Sequence, residues 1–96
     1  MSAQREGPAR RAPSPVVELN RAVAVSMADG PAAALPLVDA LAGRLDGYHL
    51  LPSVRGDLLA RLGRPAEARI EFQRAAGLTA NERKRDLLLT RARECA

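Results

Sequence analysis

The chain has 96 residues, 47% of them hydrophobic and only 2% aromatic, which bounds it to one small domain with an Ala/Leu/Val core better suited to helix packing than to a sheet. Fourteen arginines and one lysine outweigh 11 acids for a net charge of +4, but the excess sits at the ends, at Arg5, Arg10 and Arg11 and again at Arg83, Lys84, Arg85, Arg91 and Arg93. Between Pro13 and Ala80 seven arginines balance seven acids, and the basic ends lack the interleaved aromatics of a nucleic-acid reader. The single cysteine, Cys95, excludes an internal disulfide, and with one histidine, His49, no zinc site made by this chain alone is expected. No apolar run approaches the ~18 residues of a membrane span, and no apolar stretch follows the early arginines as in a secretory signal. The expectation is a cytoplasmic protein.

Residues 1–13, rich in Gly, Pro and Arg and without apolar periodicity, predict a disordered tail; residues 14–96 predict a helical domain. Ser14 followed by Pro15 reads as an N-cap and first helical position. Val16, Leu19, Val23 and Met27 then form an apolar face widened by Val17, Ala24 and Ala28. Asp29-Gly30-Pro31 ends this helix and opens a second, to about Arg44, with Leu35, Val38, Leu41 and Ala42 on one side. Pro36 is out of pattern, since a proline in a helix interior costs ~3 kcal/mol. After the Asp46-Gly47 turn a third helix, about Tyr48 to Leu62, carries Leu50, Leu51, Val54, Leu58, Leu59 and Leu62, with Pro52 in its first turn. Gly63 closes it. Pro65 opens a fourth helix with Ala68, Phe72, Ala75 and Ala76 inward, and a last helix from about Asn81, capped by Asn81 or Thr79, brings Leu87, Leu88 and Leu89.

Five helices in two and a half hairpins predict an all-α fold. Gly56, Gly63, Ala68, Phe72, Ala75 and Ala80 alternate small and bulky residues much as a tetratricopeptide (TPR) unit does, and that unit repeats at about 34 residues. Gly30 stands 33 residues before Gly63, again between two helices. Gly56 and Ala68 are small where the helices of a hairpin approach, and Phe72 is large where the neighbouring pair leaves a hole. The first hairpin fits less well, with Leu35, Asp39 and Ala42 in the places of Ala68, Phe72 and Ala75.

The first helix of each hairpin in such a stack lines the concave side. That places Val17, Asn20, Ala24 and Met27 in a groove with Leu50, Ser53, Asp57 and Arg61, mildly apolar and suited to a peptide or helix. Asp57 and Arg61 read either as a surface i,i+4 pair or as groove residues. His49 beside Tyr48 could be a general base, yet no nucleophile is placed to work with it; Tyr48 packing at a helix start, with His49 or Asp46 satisfying turn groups, fits better. No nucleophile–base set, phosphate loop or metal spacing is legible, so no enzyme and no cofactor is expected.

The strings from Ser14 to Val25 (SPVVELNRAVAV), Asp46 to Leu51 (DGYHLL), Leu59 to Arg64 and Asn81 to Glu94 together resemble the carboxy-terminal extension of a group of extracytoplasmic-function sigma factors, in which a TPR-like array follows the two sigma regions. The resemblance covers about Ser14 to Glu94. It implies an interaction module in transcription regulation that contacts RNA polymerase, a sigma region or a signalling partner. The two promoter-gripping regions do not fit in 96 residues, so a free-standing or excised extension is expected, not a sigma factor. In that group an aromatic-bearing helix precedes the SPVV run and pairs with it; here an Arg- and Pro-rich stretch stands there. The first helix is therefore expected to leave Val16, Val17, Val23 and Met27 partly uncovered. A weak homodimer through it, or a partner supplying the missing helix, would follow. A basic nucleic-acid accessory domain is the alternative function.

Overall fold

A computed structural model describes residues 14–95, and the tail expected over residues 1–13 lies outside them. Five helices follow in order: α1 Pro15–Asp29, α2 Pro31–Leu41, α3 Leu50–Arg61, α4 Pro65–Leu78 and α5 Glu82–Glu94. There is no strand among the described residues. Neighbours in sequence are neighbours in space. The helices α1 and α2 form one hairpin, α3 and α4 a second, and α5 packs on α4 as a half hairpin, with α2 against α3 joining the first two. This is the sequential stacking of a TPR-like array. No helix among the described residues is long and apolar enough to cross a membrane.

The helix ends follow local chemistry. The Ser14 hydroxyl accepts the Val17 N–H at 3.2 Å ahead of Pro15, and Asn81 Oδ1 accepts the Lys84 N–H at 3.0 Å. Asn81 is therefore the cap of α5, while Thr79 Oγ1 accepts the Asn81 N–H and steadies the turn before it. At the end of α3, Gly63 takes a positive φ of 74°, its N–H reaches the Ala60 carbonyl and the Arg64 N–H reaches Leu59. Those paired bonds are the closure that a left-handed glycine makes possible.

Two boundaries differ from the sequence reading. The second helix stops at Leu41 rather than Arg44, because the following residues tighten into turns that swing Leu45 into the core. The third opens at Leu50, since the Leu51 N–H still bonds three residues back to Tyr48. Helix α2 runs through Pro36, which faces solvent.

The core has two centres. Leu19, Ala22, Ala34, Val38, Leu41, Leu45, Leu51 and Leu58 fill the first; Leu59, Ala68, Phe72, Ala75, Ala76, Leu88 and Ala92 fill the second. Leu58 and its neighbour Leu59 put α3 between them, and Leu35 packs against both. Phe72 is wholly buried, and a Cβ on Gly56 would stand 2.8 Å from its Cε1. The expected small-against-large contact is therefore real.

The first hairpin is turned relative to the sequence reading. Its α1 core face is Leu19, Ala22 and Ser26, with Val25 partly buried, while Val16, Val17, Val23 and Met27 are exposed, as expected for the uncovered side of this helix. Small residues win the interior because Ala22 and Ala34, both fully buried, let α1 and α2 approach. The buried positions repeat at thirty-four residues: Ala22 with Gly56, Ala34 with Ala68, Val38 with Phe72, and Leu41 with Ala75. Pro31 and Pro65, the first residues of α2 and α4, keep this interval. The turn glycines do not, because α1 and α2 are separated by Gly30 alone and α3 and α4 by three residues. Asp39, taken from the glycine count as the Phe72 equivalent, is instead exposed and ion-paired, and Val38 fills the hole.

Candidate functional site

The same interval builds the concave face. Val23, Asp57 and Arg91 occupy one repeat position on α1, α3 and α5, and all three line a single cleft of about 250 Å³. Met27, Ser53 and Arg61 complete its walls, with Val54 and Leu58 at the α3 side. Asp57 is its electrostatic hub. Its Oδ1 accepts from Arg91 Nη2 at 2.9 Å and its Oδ2 lies 3.1 Å from Arg61 Nε. The Arg91 guanidinium also sits over the Phe72 ring, 4.5 Å from the centroid, so it is held by a carboxylate and an aromatic face together. Asp57 and Arg61 are thus both a helix pair and groove residues.

A second cleft, of about 160 Å³, meets the first at Ser53 and is lined by His49, Leu50, Lys84, Leu87 and Leu88. Of the residues expected in the groove, Met27, Ser53, Asp57 and Arg61 come together in the first cleft and Leu50 joins Ser53 in the second. Val17, Asn20 and Ala24 are exposed on α1 but line neither. A count of 33 instead of 34 slips the register by one residue, about 100° around a helix. Val23 takes the place given to Ala24, and Ser26 also lines the cleft. Arg91 was missed altogether, although its distance from Asp57 carried the signal.

A larger hollow, about 390 Å³, lies among α2, the start of α3 and α4, and Asp39, Arg55, Glu71 and Arg74 pair with one another across it. Arg55 donates from Nε to Asp39 Oδ1 at 2.7 Å and from Nη1 to Glu71 Oε2 at 2.9 Å. The hydrogen bond to Asp39, with the charges of Asp39 and Glu71, raises the Arg55 guanidinium above the usual arginine value against the opposing cost of burial. Glu71 has a side chain only 7% exposed, and Arg74 approaches it at 3.5 Å. This is a clamp between the hairpins rather than a vacant pocket. At the other extreme, the exposed Arg64 and Glu67 pair at 2.6 Å; their hydrogen bond raises the arginine and lowers the carboxylate.

Tyr48 packs against the first core centre, as expected of a helix start. His49 does not play the turn-satisfying part: its Nε2 is buried and makes no hydrogen bond among the described residues, and its ring meets Tyr48 edge-on with centroids 5.6 Å apart. No group of three or more metal-ligating side chains occurs among the described residues.

The chain is similar to an uncharacterized protein of Rhizobium meliloti (strain 1021), with 56% identity over 72 residues. The match takes in 75% of this chain but 17% of that protein, so the chain spans about one sixth of its relative's length. No family model matches the sequence, and no solved structure matches it.

Proposed function

We propose that this chain is a protein-interaction module of the kind found as the carboxy-terminal extension of extracytoplasmic-function sigma factors. It acts in transcription regulation by contacting RNA polymerase, a sigma region or a signalling partner, and it is not an enzyme. The observation that carries the reading is the paired cleft along α1, α3 and α5, where exposed apolar side chains stand beside arginines. Such a face offers shape and charge to a partner. Two lesser points agree. The strings behind the sigma-extension resemblance cover most of α1, the turn into α3, the closure of α3 and the whole of α5, so they are spread along the array. A match to one sixth of a longer protein suits a module that also occurs attached to other regions.

The experiment is a pull-down of purified RNA polymerase subunits and isolated sigma regions with the tagged chain, beside a duplex-DNA binding assay across a salt series. Capture of one protein target in moderate salt is the expected result. Binding to any DNA with steep salt dependence, and to no protein, would favour the basic accessory domain instead.

A further inference from the structure

We infer that the concave face receives an acidic amphipathic helix, its apolar side on Val23, Met27 and Leu87 and its carboxylates on Arg61, Arg91 and Lys84. This deepens the interaction-module reading and rests on it.

Charge is the first argument. The two clefts hold Arg61, Arg91 and Lys84 against one carboxylate, Asp57, which both arginines already share. A surplus of cations around a single acid leaves positive charge unneutralised there, with 55% of the Arg61 side chain exposed. A partner's carboxylates complete such a set. Apolar exposure is the second. Met27 is 80% exposed and Leu87 61%, the two highest values among the large hydrophobics, and each borders one of the joined clefts. Large apolar side chains framing a charged cleft are the anchors of helix-in-groove recognition. A third argument sets the conformation of the occupant. The walls are helices and no strand edge exists among the described residues, so an extended peptide finds no backbone ladder to join, whereas a helix brings its own hydrogen bonds satisfied. Nucleic acid fits less well, because the chain's aromatics are Tyr48 and Phe72, and both are committed to the core.

The test uses three synthetic helical peptides with one leucine register and Glu, Gln or Lys at the remaining positions, titrated into the isotope-labelled chain and followed by NMR. The Glu peptide should bind, shift Met27, Ser53, Asp57, Arg61 and Leu87, and weaken as salt rises. Arg61→Glu should weaken it about three- to tenfold and flatten the salt dependence. Met27→Ser should weaken it about tenfold while leaving that dependence in place. Both positions are exposed, and circular dichroism checks that both variants fold. Equal binding of the Lys or Gln peptide would overturn the acidic partner while the module reading stands. The same shifts produced by a short DNA duplex would overturn it too, as would silence with millimolar Glu peptide or shifts confined to Val16, Val17 and Leu37. Failure of the module reading itself would show separately, as a pull-down that captures no protein.

Discussion

Adding one methyl group to Gly56 and the same group to Gly77 should move stability in opposite directions. Both glycines lie inside helices, so alanine brings each a propensity gain of up to about 1 kcal/mol, smaller at Gly77 because it is next to the last residue of α4. Around Gly77 a new Cβ meets nothing within 4 Å. At Gly56 it would stand 2.8, 3.0 and 3.1 Å from Cε1, Cδ1 and Cζ of Phe72, an edge of the ring rather than a flexible tip. That ring is wholly buried and lies under the Arg91 guanidinium, so it cannot swing clear without moving α4 from α3. Overpacking of this kind costs about 1–3 kcal/mol. Gly56→Ala should therefore lose up to about 2 kcal/mol after its propensity gain, while Gly77→Ala gains a few tenths. The gap between the variants isolates the clash, and at about 4–8 °C per kcal/mol for a domain this size, thermal melts by circular dichroism resolve it easily. Phe72→Leu in the Gly56→Ala background should cost less than in the wild type, a coupling expected only of residues in contact. If Gly56→Ala stabilises as much as Gly77→Ala, the hairpin can open at this point and the small-against-large register is wrong.

Three further outcomes follow from the packing. Phe72→Ala should cost about 3–5 kcal/mol in chemical denaturation, most of the stability of so small a domain; a midpoint within experimental scatter of the wild type would place the ring outside the core. Pro36→Ala should leave the melting temperature equal or higher, because the ring is exposed and denies α2 a backbone bond; a clear drop would mean that the proline's distortion is needed for packing. Val16, Val17 and Met27 are exposed, so self-association through α1 should appear in sedimentation at high micromolar concentration and vanish in Val17→Glu, a position that lines neither cleft. A wild-type chain that stays monomeric under those conditions contradicts it.

What could be read from the sequence was whatever short-range chemistry decides. Ser14-Pro15, Asp29-Gly30-Pro31, Gly63 and Asn81 each fix a helix end through bonds within five residues, and all are where expected. The second hairpin was equally plain, because Gly56, Ala68 and Phe72 differ so much in size. In the first hairpin the interior is made by Ala22, Ala34 and Ser26, while valines and a methionine stand outside. Hydrophobic periodicity favours the bulkier residues and so rotates α1 the wrong way. At the groove, the 33-residue count put Val17, Asn20 and Ala24 one position out of register with Leu50, Ser53 and Asp57. Arg91 and the Arg55 clamp depend on contacts between helices sixteen to thirty-four residues apart, which no local pattern announces.

The most direct measurement of the central claim is binding of purified RNA polymerase core enzyme and isolated sigma regions to the immobilised chain, wild type beside Ser53→Tyr. Ser53 is half-buried and belongs to both clefts, whose walls include the core residues Leu58 and Leu88, and a tyrosine there would fill their junction. The account predicts saturable binding of a protein partner by the wild type and its loss in a Ser53→Tyr chain that still melts cooperatively. Equal binding by the two chains would put the contact elsewhere, and binding of duplex DNA alone would contradict the claim.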